Sequence, residues 1–173
     1  MTDSFGFIHE KIDIKVLILF IMRRLPEPVT IDVLTGLVMC DDGIGYFDFT
    51  ECITQLVETQ HLQFEDSKYS LTAKGLHNGE ILEKNLPYSV RLEAEDAASR
   101  IRAIQNRNAM IKTHREIDDN GTYMVILSLS DGVGDVVSMK LLAANEQQAN
   151  AMEQGFRKNA ENIYHALVEL IQG

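Results

Sequence analysis

The chain has 173 residues, 45% of them hydrophobic and 24% charged, with a formal net charge of −10. That composition is of an ordinary globular protein with room for one large or two small domains, and it excludes disordered and strongly basic classes. The most apolar run, residues 16–22, falls far short of the roughly 20 residues that span a bilayer, and no small-residue cleavage site follows a basic start. Neither membrane nor secretion is indicated, and a reducing cytoplasm is expected. Cys40 and Cys52 both fall at apolar positions of predicted helices and read as small buried side chains.

A strongly apolar helix over residues 8–24 is stopped by Pro26 and Pro28, since proline removes a backbone donor and displaces its predecessor from the helical region. Thr30 is placed to cap a second helix, residues 31–40, in which Ile31, Leu34 and Val38 recur at three- and four-residue steps before Asp41-Asp42-Gly43 breaks it. Asp48 and Glu51 stand at capping-box spacing and open a third helix reaching residue 60. Its inner side is Cys52, Ile53, Leu56 and Val57, which leaves Thr50, Glu51, Thr54, Gln55 and Glu58 facing water. Tyr46, Phe47 and Phe49 crowd the start of this helix and read as a staple to the core, with stacking on a nucleobase as the alternative.

Residues 61–64 and 68–71 alternate like two strands around Glu65-Asp66-Ser67, the pattern of a wing hairpin, and Thr72 caps a further helix ending near Pro87. Three helices, a short corner and a hairpin are the punctuation of a winged helix-turn-helix. Tyr69, Leu71, Thr72 and Gly75 resemble the wing-to-helix junction of winged-helix regulators. With the first helix, the corner and the tail segment Phe156-Arg157-Lys158-Asn159-Ala160-Glu161-Asn162-Ile163-Tyr164, the chain resembles a bacterial winged-helix family of unknown function related to PadR-like transcriptional regulators. The resemblance implies a winged-helix fold, dimerisation, a regulatory role and no catalysis.

The second half reads as an α+β unit. A helix from residue 89 to 107 carries Val90, Ala94, Ala97, Ile101 and Ile104 as a stripe. Strands follow over residues 110–117, 122–129 and 135–142, separated by Asp118-Asp119-Asn120-Gly121 and by Ser130-Asp131-Gly132-Val133-Gly134, and the Asn-Gly pair favours a tight hairpin. Tyr123, Val125, Leu127 and Leu129 share one face of the middle strand. One long helix over residues 146–172 carries Ala149, Met152, Phe156, Ala160, Ile163, Leu167 and Leu170 in a nearly heptad pattern. The expected architecture is α+β: a winged helix-turn-helix domain at 1–86, then a dimerisation or effector domain at 87–173 holding a helix, a three-stranded antiparallel meander and a long C-terminal helix.

Chemistry is not signalled. His9, His61, His77, His114 and His165 are scattered, and none pairs at metal-ligand spacing. Neither Gly43-Ile44-Gly45 nor Gly132-Val133-Gly134 has the context of a nucleotide loop, and Asp41-Asp42 and Asp118-Asp119 read as solvated turns. No enzyme, cofactor or metal is expected.

Charge sets the tension in the functional reading. There is no Lys or Arg between residues 25 and 67, and residues 1–86 hold 7 basic against 14 acidic side chains. A reading helix in a negative field repels phosphate. Duplex DNA would then be held by Lys68, Tyr69 and Lys74 while uncharged Thr50, Thr54 and Gln55 meet base edges. The expected function is a homodimeric transcriptional regulator of weak or atypical DNA affinity. The alternative is an acidic winged-helix interaction module that captures a basic protein and binds no DNA. An all-round apolar first helix implies that a second domain or a second subunit wraps it, and the PadR resemblance favours the subunit, with residues 14–22 or 156–170 in the interface.

Overall fold

The computed structural model describes residues 6–173. The fold is α+β. Its order is helices α1 (Lys11–Met22), α2 (Ile31–Val38) and α3 (Tyr46–Glu58), hairpin strands β1 (Leu62–Glu65) and β2 (Lys68–Leu71), then helices α4 (Ala73–Leu82) and α5 (Tyr88–Met110). Strands β3 (Ile111–Ile117), β4 (Tyr123–Ser130) and β5 (Asp135–Ala143) form an antiparallel sheet in that order, and α6 (Glu146–Gln172) closes the chain.

Two compact units result, divided between Gln105 and Asn106. The sequence placed the boundary at Pro87, but α5 runs unbroken across the division, and its first half belongs to the first core. Val90 and Ala94 are buried there with Leu86. Arg24 pairs with Glu95, and the Gln105 side chain donates to the Glu27 carbonyl at 3.1 Å. Ile104, expected in the stripe, is 55% exposed, whereas Ala98 is buried.

In the first unit α1 is the central element: Ile14 and Val16 to Met22 are all buried. The helices and the hairpin surround it with Leu34, Val38, Phe49, Cys52, Leu56 and Leu62. This corrects the expectation that a second subunit covers residues 14–22, because a side chain already removed from water within its own chain has no apolar surface left for a partner. Beyond α1, Arg23 donates to Glu83 at 2.7 Å, and the Arg24 guanidinium lies 3.4 Å over the Phe20 ring. Thr30 occupies the position before α2, but its side chain makes no capping bond.

Asp41 is no solvated turn residue. It is 6% exposed, and its carboxylate accepts from the backbone N–H groups of Phe7 at 2.7 Å, Gly43 at 2.9 Å and Ile8 at 3.3 Å. The carboxylate thereby fastens the segment before α1 onto the α2–α3 corner, with Ile8 fully buried. Gly6 and Gly43 make room for it: a Cβ on either would come within 3 Å of the carboxylate oxygen.

The second unit has its own core of Ile111, Val125, Leu127, Leu129, Ala143, Ala149, Phe156 and Ala160. Val125, Leu127 and Leu129 supply one face of β4, as the alternation predicts. The β3–β4 turn is closed by Asp118, whose Oδ1 accepts from the N–H groups of Asn120 and Thr122 at 3.0 and 2.8 Å, with Gly121 at φ +76°. The Asp131 carboxylate does the same in the β4–β5 turn, and the Gly134 and Val133 N–H groups hold it below the usual carboxylate range. Helix α6 is kinked at Asn159 (φ −127°, ψ 18°), where the side-chain amide donates to the Gly155 carbonyl at 3.1 Å. A short polar side chain that bonds the preceding turn bends a helix in this way. Beyond the kink Ile163 packs on the core while Leu170 is 80% exposed.

Candidate functional site

The outer surface of α3 and the neighbouring hairpin bring together most of the residues singled out in the sequence. Helix α3 starts at Tyr46 with Gly45 before it and no side-chain cap. The expected capping box therefore does not form, because Asp48 already lies inside the first turn. Asp48 and Glu51 instead meet Lys11 of α1, whose Nζ is 2.6 Å from Glu51 and 3.6 Å from Asp48. The ammonium hydrogen-bonded to it holds the Glu51 carboxyl below its usual range, and the same contact raises Lys11. Two of the acids that make this helix look repulsive to phosphate thus share a counter-charge distant in sequence, 40 residues from Glu51, and no local motif betrays it.

The register of α3 is as expected. Phe49, Cys52, Ile53 and Leu56 are buried, Glu51, Thr54 and Glu58 are exposed, and Thr50 and Gln55 are half-buried. The hydroxyls turn inward to the helix itself: Thr50 donates to the Phe47 carbonyl at 2.9 Å and Thr54 to the Thr50 carbonyl at 3.0 Å. The Gln55 amide donates to Glu51 at 3.0 Å. At the start of the helix only Phe49 joins the core. Tyr46 and Phe47 are 56% and 86% exposed, so the staple is one ring and not three.

The hairpin pairs Leu62 with Leu71 through Glu65 with Lys68. Its tip, Asp66 and Ser67, has φ +49° and +61°, the two left-handed residues that a tight two-residue turn requires. Lys68 is exposed there. Tyr69 is half-buried, exchanges backbone hydrogen bonds with Val29 at 3.0 and 2.8 Å, and packs its ring at a tilt against Phe64, with centroids 4.7 Å apart. Lys74 does not reach outward: its Nζ donates to the Thr59 carbonyl at 2.8 Å, where a cation complements the C-terminal end of α3. Thr72 caps α4 as expected, accepting from Gly75 N–H at 3.0 Å, and donates to the Gln60 carbonyl at 2.7 Å.

His61 joins these parts. The Asn78 amide donates to its Nε2 at 2.7 Å, which leaves the proton on Nδ1 facing the Thr59 hydroxyl at 2.8 Å. Desolvation, with Lys74 and Lys15 nearby, pushes its pKa down and favours the neutral ring.

Two hollows flank Phe64. A hollow of about 190 Å³ between α3 and the hairpin is lined by Ile53, Thr54, Val57, Glu58, Phe64 and Tyr69. One of about 520 Å³ toward α4 is lined by Val57, Gln60, Leu62, Phe64, Thr72 and Lys74 among others. Thr54 and Tyr69 therefore share a hollow and Lys74 borders the next, while Thr50 lines neither. Phe64 and Lys11 were not singled out in the sequence, and Val57, read there as inward-facing, is half-buried and lines both hollows. The alternation around Phe64 marked a strand but not which of its faces stays bare.

Among the described residues no three His, Cys, Asp or Glu side chains gather as metal ligands, and no helix is long and apolar enough to cross a membrane. Fold and face together define an α+β protein in which a helical unit with an exposed polar helix beside a β-hairpin precedes a sheet covered by a long helix. The chain belongs to the family described as a domain of unknown function, DUF4364, whose match covers residues 14–171. No curated protein and no solved structure matches it.

Proposed function

We propose that the protein is a homodimeric winged-helix transcriptional regulator, related to the PadR-like regulators, in which α3 enters the major groove and the β1–β2 hairpin rests on the backbone. The observation that carries this reading is the compensation of Asp48 and Glu51 by Lys11, 3.6 and 2.6 Å away, because it relieves the conflict between helix and charge. Thr50, Thr54 and Gln55 then meet base edges from α3. Lys68 meets phosphate from the hairpin. Lys74, held at Thr59, adds positive potential without a direct contact. Phe47, exposed in the first turn of α3, would then supply an apolar contact to a thymine methyl, since the leading residues of a recognition helix reach the bases.

A second reading rests on a separate observation. The hollow of Ile53, Val57, Phe64 and Tyr69 is apolar at its floor, and Glu58, which has no ion-pair partner among the described residues, stands at its rim. An apolar side chain with a basic neighbour fits such a site, so the same face would capture a basic protein segment. Titration of mixed-sequence duplex DNA at two salt concentrations separates the readings. Tight binding at low salt with a steep salt slope supports the regulator, and absence of binding at low salt supports the interaction module.

A further inference from the structure

Strands β3 and β5 are the two edges of the second unit's sheet, and their sequences guard those edges differently. β3 carries Lys112, His114, Arg115 and Glu116 within seven residues, the kind of charge by which natural edge strands repel another strand. β5 has nine residues, no proline and, after Asp135 at its start, one charge, Lys140. Val136, Leu141 and Leu142 on it are 39%, 40% and 64% exposed. Its pairing with β4 is regular from Val137 to Ala143, and the one irregularity, a bulge at Val136 between Asp135 opposite Ser130 and Val137 opposite Leu129, is confined to its start. Such an edge offers unpaired N–H and C=O groups between apolar side chains, which invites pairing.

We propose that β5 pairs antiparallel with β5 of a second copy of this chain, joining two three-stranded sheets into one of six strands with Met139 on the two-fold axis. The occupant follows from the symmetry of the strand itself. A two-fold axis normal to the sheet keeps like faces together, so opposed residues must come from the same face. Centring the pair on Lys140 sets two ammonium groups against each other, and centring it on Ser138 draws the bulged Val136 into the pair opposite Lys140. Centring on Met139 opposes Val137 to Leu141 on one face and Ser138 to Lys140 on the other. It uses the regular part of the strand and leaves each ammonium beside a hydroxyl.

Charge selects the same arrangement over the alternatives. Pairing β5 with β3 of another copy would bury the four ionisable side chains of β3 against apolar ones, and it would propagate as an open filament instead of closing. The β5–β5 pair closes on itself. It also runs beside a surface that α6 leaves bare: an apolar groove of about 510 Å³ lined by Leu127, Met139, Leu141, Met152, Phe156 and Ile163 lies between β5 and α6. Pairing brings the grooves of both copies onto one face of the joined sheet. The inference deepens the dimeric part of the proposed function and does not depend on whether DNA or a protein is bound.

The test uses the full chain in light scattering and in a crosslinking assay. Wild type should be a dimer at high micromolar concentration, and Ser138→Lys, which opposes a new ammonium group to Lys140 of the second copy, should be a monomer. Ser138→Glu opposes unlike charges at the same sites and should keep the dimer. Opposed residues of an antiparallel pair have Cα atoms about 4.5–5.5 Å apart, within disulfide reach, so Met139→Cys should form an intermolecular disulfide on oxidation while Lys112→Cys on β3 should not. A wild-type chain that is monomeric at high micromolar concentration overturns the proposal. So does a dimer that survives Ser138→Lys, or equal crosslinking from positions 112 and 139. DNA binding enters none of these readouts, so failure of the regulator reading leaves a different signature from failure of the strand pair.

Discussion

Replacing Asp41 by Ala removes the acceptor for three backbone donors at once. The Phe7 and Gly43 bonds, at 2.7 and 2.9 Å, are of full strength, and the Ile8 bond at 3.3 Å is weak. A hydrogen bond to a charged group contributes about 1.5–3 kcal/mol net, but a Phe7 segment released from the carboxylate would find water for its N–H groups. The remaining loss includes the burial of Ile8, which is fully buried and whose release costs roughly 1.5–3 kcal/mol. The two routes are alternatives, since the segment either stays with orphaned donors or leaves and exposes Ile8. A destabilisation of about 3 kcal/mol is expected by either. Urea unfolding followed by far-ultraviolet circular dichroism reads the loss, and amide exchange at Ile8 and Gly43 localises it. A change below about 0.5 kcal/mol, the scatter of ordinary surface substitutions, together with unaltered exchange, would refute the reasoning.

Gly75→Ala should destabilise the hairpin-to-α4 junction by about 1–3 kcal/mol, because its Cβ would fall 2.1 Å from the His61 carbonyl oxygen; thermal denaturation measures this against Gly36→Ala, where nothing lies within 4 Å. Phe156→Ala, which empties the second core of a fully packed ring, should cost about 3–5 kcal/mol, and collapse of the β3–β5 amide signals in NMR is the readout. His61 has its folded pKa held below the ordinary value by desolvation, so the unfolded chain binds more protons in the window between the two values. Its stabilising contribution is therefore present above about pH 6.5 and lost as pH falls through the lowered value, and urea midpoints across that range should fall less steeply with acid in His61→Gln.

Much of this fold was legible from local pattern. The strands β3 to β5 and the reach of α6 follow from alternation and turn chemistry at Asn120-Gly121 and Asp131-Gly132, where a few residues decide the outcome. The outer side of α3 followed from periodicity alone. What escaped depended on contacts distant in sequence. The pairing of Lys11 with Glu51, the burial of Asp41 against Phe7 and Ile8, and the membership of Val90 and Ala94 in the first core each join residues 30 or more positions apart. The burial of α1 within a single chain belongs with them, since an apolar helix tells that it is covered but not by what. The exposure of Phe47 and the bend at Asn159 are local features, yet both are choices between two locally acceptable states that packing settles.

The central claim is that α3 and the hairpin meet a duplex despite the acidic surroundings. Binding of mixed-sequence duplex DNA by wild type and by Glu51→Gln with Glu58→Gln, at low and moderate salt, tests it most directly. The double change removes two negative charges and frees Lys11 from Glu51, so affinity should rise, most of all at low ionic strength, where the Debye length is about 30 Å at 0.01 M. If one phosphate contact from Lys68 and a second from freed Lys11 operate, the logarithmic salt slope of the variant should be about −2 for each chain. An affinity for DNA that stays flat while capture of a basic peptide weakens would contradict the account and make the acidic, apolar-floored hollow the working surface.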